Sequence, residues 1–284
     1  MKCAAGRKTK RTLVVVTLAL ASCRAPMQAP TSTPEVVPLY FVTSSSTDSL
    51  LRSLAATYTR ENSLVAIVDQ AANGTSIAVA LDPTQSSDPP LYALTTYLPN
   101  LDHLWAAPLG QDGIAIVVHP RLNIPQLSAD DLRQIFTGVV ENWLELGGPD
   151  LAITVVSRDA ESDTRRVFEQ LVLGQRQITY NALLALTDSA MLDVVAQIPG
   201  AIGFMSMALV SGQVRVLPLV GEVGDTPVLP TPLTVAEGTY PLRTPLLIVG
   251  SKPPEPGDGY YEFIVWAQQR QAQQIIGERY APLP

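Results

Sequence analysis

Short apolar runs alternate with apolar residues at helical spacing along most of this chain, and that alternation limits the fold more than any other feature. Segments 39–42, 65–68, 105–107, 114–118, 153–156, 201–205 and 246–249 read as strands. Helix patterns lie between them. Leu50, Leu51, Leu54 and Tyr58 follow Ser46-Thr47-Asp48, and Leu132, Ile135 and Phe136 follow Ser128-Ala129-Asp130-Asp131, both good capping sequences. A short helix starts at about Thr75. Residues 165–173 predict a helix burying Val167, Phe168, Leu171 and Val172. Another, behind Ser189, carries Met191, Val194, Val195 and Ile198 and stops at Pro199-Gly200. Residues 260–276 predict a C-terminal helix. The class is α/β, with no internal repeat at solenoid periods.

The first 22 residues differ in character. Lys2, Arg7, Lys8, Lys10 and Arg11 precede an apolar run over 12–21, about half the roughly 20 residues a spanning helix needs. Leu20-Ala21-Ser22-Cys23 resembles the lipobox of bacterial lipoproteins. The expectation is a signal peptide over 1–22 and lipidation of Cys23, anchoring an exported chain on the outer face of the cell membrane. Residues 23–38 contain Pro26, Pro30, Pro34 and Pro38 and read as an extended, partly stiff tether.

This processing leaves a body without cysteine, because Cys3 leaves with the signal and Cys23 carries lipid. Disulfides, a thiol nucleophile and a thiolate zinc site are then excluded, and core burial alone must hold the body together. Five of the 19 basic residues also lie in the signal, leaving 14 against 26 acidic ones, a net −12. Such a chain is a poor general binder of nucleic acid. A small anion is still compatible with it, since exposed charges beyond roughly 8 Å are screened in physiological salt.

Two places repeat one local plan of strand, hydroxyl-rich turn and helix. The first is Val42-Thr43-Ser44-Ser45-Ser46-Thr47-Asp48, and the second runs from Val156-Ser157-Arg158 through Glu161-Ser162-Asp163-Thr164. A helix start offers unpaired N–H groups and partial positive charge, hydroxyls add donors, and Arg158 could supply a bidentate clamp on an anion. Plain helix capping accounts for the same residues, so composition leaves both readings open.

A longer series of motifs carries a resemblance. Asp112-Gly113-Ile114-Ala115-Ile116-Val117-Val118-His119-Pro120, Leu132-Arg133-Gln134-Ile135-Phe136-Thr137-Gly138, Asn142-Trp143 and Gly147-Gly148 occur in order. Arg158, Ser162, Thr164 and Phe168 follow, then Pro199-Gly200-Ala201-Ile202-Gly203-Phe204 and Tyr240-Pro241-Leu242-Arg243. Together these resemble the phosphate-binding proteins of ABC importers. The resemblance implies a two-lobed periplasmic-binding-protein fold, type II-like, with two crossing strands between lobes. Lobe 1 would comprise 39–115 and 240–284, and lobe 2 would be 116–239. It further implies a monomer that captures phosphate or a related oxyanion, without a cofactor or catalysis, and delivers it to an ABC permease. By the same resemblance the ligand set maps to Ser46, Thr47, Asn73, Arg158, Ser162 and Thr164. Asp88 matches an acid that accepts a proton from phosphate and so rejects a fully deprotonated oxyanion; it equally suits a turn cap before Pro89-Pro90.

Departures from that pattern are concentrated at the site. Asn73 replaces a hydroxyl, Glu161 a small residue, and Asp163 the glycine between Ser162 and Thr164. Two unit charges 4 Å apart repel by about 4 kcal/mol at an effective dielectric of 20. A hydrogen bond to a charged group returns about 1.5–3 kcal/mol. An Asp163 carboxylate can therefore cancel one or two good contacts, fill the anion site from within, or point to solvent. The degenerate-site alternative is a binding-fold lipoprotein acting as sensor or interaction module. An enzyme is not expected. His103 and His119 stand without a Gly-x-Ser-x-Gly elbow or a His-Glu-x-x-His pair, and Trp143 and Trp266 read as core.

Overall fold

The computed structural model describes residues 35–82, 84, 91–102, 104–221 and 226–284. The signal segment, Cys23, most of the tether, Asp88 and His103 lie outside the described residues. Among the described residues no helix is long and apolar enough to cross a membrane.

The chain opens with β1 (Val37–Thr43), α1 (Asp48–Glu61), β2 (Val65–Ala71), α2 (Gly74–Leu81) and β3 (Tyr92–Thr95). Next come β4 (Trp105–Val118), β5 (Leu127–Ser128), α3 (Ala129–Thr137), β6 (Thr154–Ser157) and α4 (Asp163–Phe168). They are followed by β7 (Leu183–Leu184), α5 (Asp188–Gln197), β8 (Ala201–Ser206), β9 (Arg215–Val216), β10 (Leu219–Val220) and α6 (Pro232–Ala236). The C-terminal part holds β11 (Arg243–Gly250), α7 (Gly259–Ala267), α8 (Arg270–Gly277) and β12 (Ala281–Pro282). The main sheet runs β2-β1-β3-β11-β4-β8-β6-β7, with β9 and β12 also pairing β4. β1 is parallel to β2 and β3, and β6 is parallel to β7 and β8.

β4 and β11 are the crossing strands. They pair antiparallel from Arg243↔Gly113 to Gly250↔Trp105, with a bulge at Leu246/Leu247. Beyond Gly113, β4 changes neighbours and pairs β8 from Ile114↔Ser206 to Val118↔Ile202. The two strands expected at 105–107 and 114–118 are thus one continuous strand. Pro108, Gly110 and Gly113 interrupt the apolar pattern without breaking the ladder. Gly110 is needed where β12 crosses, because any Cβ there would collide with the Ala281 carbonyl.

Each half of the sheet carries its own apolar core. In one, Phe41 meets Phe263 edge to face at 5.3 Å, and Tyr58 meets Phe263 at 5.1 Å and Trp266 at 5.1 Å. In the other, Phe168 stacks on Phe204 at 4.1 Å with rings nearly parallel, and Phe136 lies against both. Trp143 is fully buried there and donates its indole N–H to the Gly200 carbonyl at 3.0 Å. Burying each such aromatic contributes roughly 1.5–3 kcal/mol.

Several boundaries correct the sequence reading. The 165–173 helix is α4 followed by a π-helical turn, Glu169–Leu173. That turn rotates the apolar face, so Leu173 is buried and Leu171 is 39% exposed. The 260–276 helix is broken into α7 and α8 at Gln268 and Gln269. Thr187, rather than Ser189, caps α5, accepting the Ala190 N–H at 3.0 Å. Ser128 and Asp131 form the expected capping box.

Candidate functional site

Three loops reach one cleft at the carboxyl ends of parallel strands, the place where open α/β sheets bind ligands. They are the β1–α1 loop (Ser44, Ser45), the β2–α2 loop (Ala72, Asn73) and the β6–α4 loop (Arg158, Asp159, Glu161, Ser162). Ala71, Ser76, Asp163 and Leu186 complete the lining of a cavity of about 380 Å³.

The first loop is folded on its own hydroxyls. Ser44 Oγ lies 3.0 Å from Ser46 Oγ and 3.1 Å from Thr47 Oγ1. Thr47 does not cap α1 with its side chain; it donates to the Leu94 carbonyl at 2.6 Å. Its single O–H is therefore committed to β3. The Ser46 carbonyl accepts a short hydrogen bond from the Tyr280 hydroxyl, which ties the loop to the C-terminal segment. Asn73 is exposed and caps α2 by accepting the Ser76 N–H at 2.8 Å, so its acceptor is spent on the helix.

The second loop is more occupied than its composition suggests. Arg158 is 4% exposed, yet its Nη1 pairs with Asp188 Oδ1 at 2.5 Å and its Nη2 reaches the Leu186 carbonyl at 3.3 Å. Only its Nε is buried without a partner. The expected bidentate clamp is thus largely satisfied within the protein. Ser162 accepts a long bond from the Arg165 N–H at 3.4 Å as the cap of α4, and Thr164 is buried in that helix's first turn.

Asp163, the residue whose orientation the sequence left open, points inward. It is 4% exposed, and its Oδ2 accepts from Thr95 Oγ1 at 2.7 Å. Its Oδ1 has no partner. Burial raises the Asp163 pKa, while the Thr95 hydroxyl, the charge of Arg166 and the Ser44 hydroxyl act in the opposite direction. Glu161 engages α2: its carbonyl accepts the Gly74 N–H at 2.8 Å and its carboxylate accepts from Thr75. Arg166 holds the same carboxylate at 3.0 Å and stacks over the Tyr97 ring at 5.7 Å. Of the residues expected from the sequence, Asn73, Arg158 and Ser162 line the cavity, whereas Ser46, Thr47 and Thr164 are buried on the adjoining loop and helix start and do not line it. Thr95, Tyr97 and Asp188 were missed because they sit far off in sequence and in no motif; Arg166 was missed although it lies within the Arg158–Phe168 stretch, where it is no motif position.

Two cores joined by crossing strands, with hydroxyl loops and a buried arginine between them, define a binding protein of the two-lobed α/β class. The PBP superfamily domain matches residues 28–270, and the chain belongs to that superfamily. A stretch of 131 residues is 34% identical to the phosphate-binding protein PstS of Bacillus subtilis (strain 168), covering 46% of this chain. That match spans 41% of the relative's own length. An ABC-type phosphate transport receptor from Vibrio cholerae superposes with a TM-score of 0.70 at 27% identity, over 87% of this chain and 100% of that one. A phosphate-bound putative phosphate ABC transporter substrate-binding protein from Clostridium perfringens gives a TM-score of 0.75 at 22% identity, with the same coverage.

Proposed function

We propose that this chain is an extracytoplasmic solute-binding protein that captures phosphate, or a related oxyanion, between its lobes and delivers it to an ABC permease. The observation that carries the reading is one cleft built from two hydroxyl loops and buried Arg158 in a superfamily chain whose relatives are named phosphate receptors. In this reading Ser46, Asn73, Arg158 and Ser162 act on the anion through side chains. Thr47 and Thr164 act through the helix starts they occupy, and Asp88 is the proton acceptor. Lobe 1 is 39–115 with 240–284, and lobe 2 is 116–239. Lipid on Cys23 and the 23–38 tether keep a monomeric module beside its permease, and binding occurs without chemistry. Titration calorimetry with phosphate and with sulfate, on protein stripped of anion, tests this. Heat with phosphate is expected; folded protein giving no heat with either anion would sink it.

One observation favours the second reading, a binding fold with an altered site serving as sensor or interaction module. Carboxylates of this chain already meet the cleft's donors, Asp188 on Arg158 and Asp163 on Thr95. Tight binding of phosphate by the wild-type protein would remove it.

A further inference from the structure

Asp163 is a buried carboxylate aimed into the cleft, with one oxygen bonded and the other without a partner. The Thr95 hydroxyl donates to one oxygen at 2.7 Å, and the Ser44 hydroxyl faces the same carboxylate. The other oxygen lies against the N-terminus of α2, close enough that a Cβ on Gly74 would come within 2.9 Å of it. Arg166 Nη1 stands equally near that point, at 2.9 Å. The Thr95 hydroxyl alone bonds the carboxylate; the Gly74 N–H is given to the Glu161 carbonyl and Arg166 to the Glu161 carboxylate, so the second Asp163 oxygen is buried beside a helix start and a guanidinium without a hydrogen bond of its own. A carboxylate thus stands where hydroxyls, a helix start and a guanidinium converge, groups that suit a phosphate or sulfate.

The same contact bridges the cleft. Ser44 and Thr95 belong to the β1–α1 loop and β3, whereas Asp163 opens α4 on the far side. The Gly74–Glu161 backbone bond at 2.8 Å and the Arg166–Thr75 bond at 3.4 Å run across the same gap.

We infer that Asp163 is an intramolecular ligand, its carboxylate filling the oxyanion position and holding the two halves closed, so that an external oxyanion binds only by displacing it. The inference rests on the oxyanion-binding reading above. A tethered competitor is always present at high effective concentration, so it lowers apparent affinity by the fraction of molecules in which the position is vacant. It also leaves a like charge beside any arriving anion. Asp163 thereby sets the oxyanion concentration at which the cleft responds, and closure ceases to report occupancy.

Small-angle scattering and calorimetry on wild type, Asp163→Gly and Asp163→Asn, with and without saturating inorganic phosphate, test the idea. Wild type should show one radius of gyration in both conditions. Asp163→Gly should expand without phosphate, contract with it, and bind phosphate at least about tenfold tighter than wild type. Asp163→Asn keeps the shape without the charge and should fall between them. Asp163→Gly as compact as wild type without phosphate, or binding no more tightly, overturns the inference and leaves the phosphate reading standing. Expansion of Asp163→Gly with no phosphate heat from any variant upholds the latch and removes phosphate as the ligand.

Discussion

Asp112 offers a stringent test of the packing at the crossing strands. It is fully buried on β4 opposite Thr244, just before β4 exchanges β11 for β8. Its Oδ1 accepts the Gly113 N–H at 2.8 Å, and its Oδ2 has no hydrogen-bond partner. Burial pushes this carboxyl from 3.8 up to about 7, with the Ser206 hydroxyl and the Gly113 and Met207 N–H groups holding it down in part and Asp188 pushing it further up. A carboxyl whose pKa is raised in the folded state contributes most stability below its unfolded pKa and loses it as pH climbs through the folded one. At 1.36 kcal/mol per unit, a shift of roughly three units is worth about 4 kcal/mol in all, of which about 3 kcal/mol should be lost between pH 5 and pH 8. Asp112→Asn keeps the acceptor for Gly113 and removes the titration. Urea unfolding of both proteins at pH 5 and pH 8 should therefore show the wild type losing about 3 kcal/mol more than the variant over that interval, a midpoint difference on the order of 1 M. Parallel pH dependences would refute the reasoning and place the carboxylate in a solvated setting.

Other expectations follow from single contacts. Phe204→Ala removes the ring stacked on Phe168 and should cost about 3–5 kcal/mol in chemical denaturation. Asp188→Ala leaves buried Arg158 without its carboxylate; it should lower stability by about 3–5 kcal/mol at neutral pH, and added phosphate should restore part of the loss as a rise in Tm.

The alternation of strands and helices was legible because each half buries apolar faces of regular period. Where period and structure part, a local cause is visible. Gly110 and Asp112 fall in the gap between the strands read at 105–107 and 114–118, yet Gly110 admits the β12 backbone and Asp112 is buried within the ladder. The π turn moved burial from Leu171 to Leu173, which no 3.6-residue template anticipates. At the site, the hydroxyl loops and Arg158 stood out as motifs. Their partners did not: Thr95 lies 68 positions from Asp163, and Asp188 lies 30 from Arg158. Composition marks a donor, but only tertiary pairing reveals that the donor is already engaged.

The half of the sheet that carries the first hydroxyl loop is assembled from both ends of the sequence. Phe41, Tyr58 and Leu94 pack beneath Ile248, Phe263 and Trp266, and Tyr280 reaches the Ser46 carbonyl. The other half is one nearly uninterrupted stretch, from Ile114 to Leu242 apart from Ala281. An exported chain that arrives beyond the membrane N-terminus first, as proposed above, can finish that stretch before its C-terminal strand and helices follow. Its opening strands meanwhile wait, without β11 beside them, through the 148 positions that separate Thr96 from Thr244. The first hydroxyl loop therefore belongs to the half that is completed last, once β11, α7 and Tyr280 have arrived.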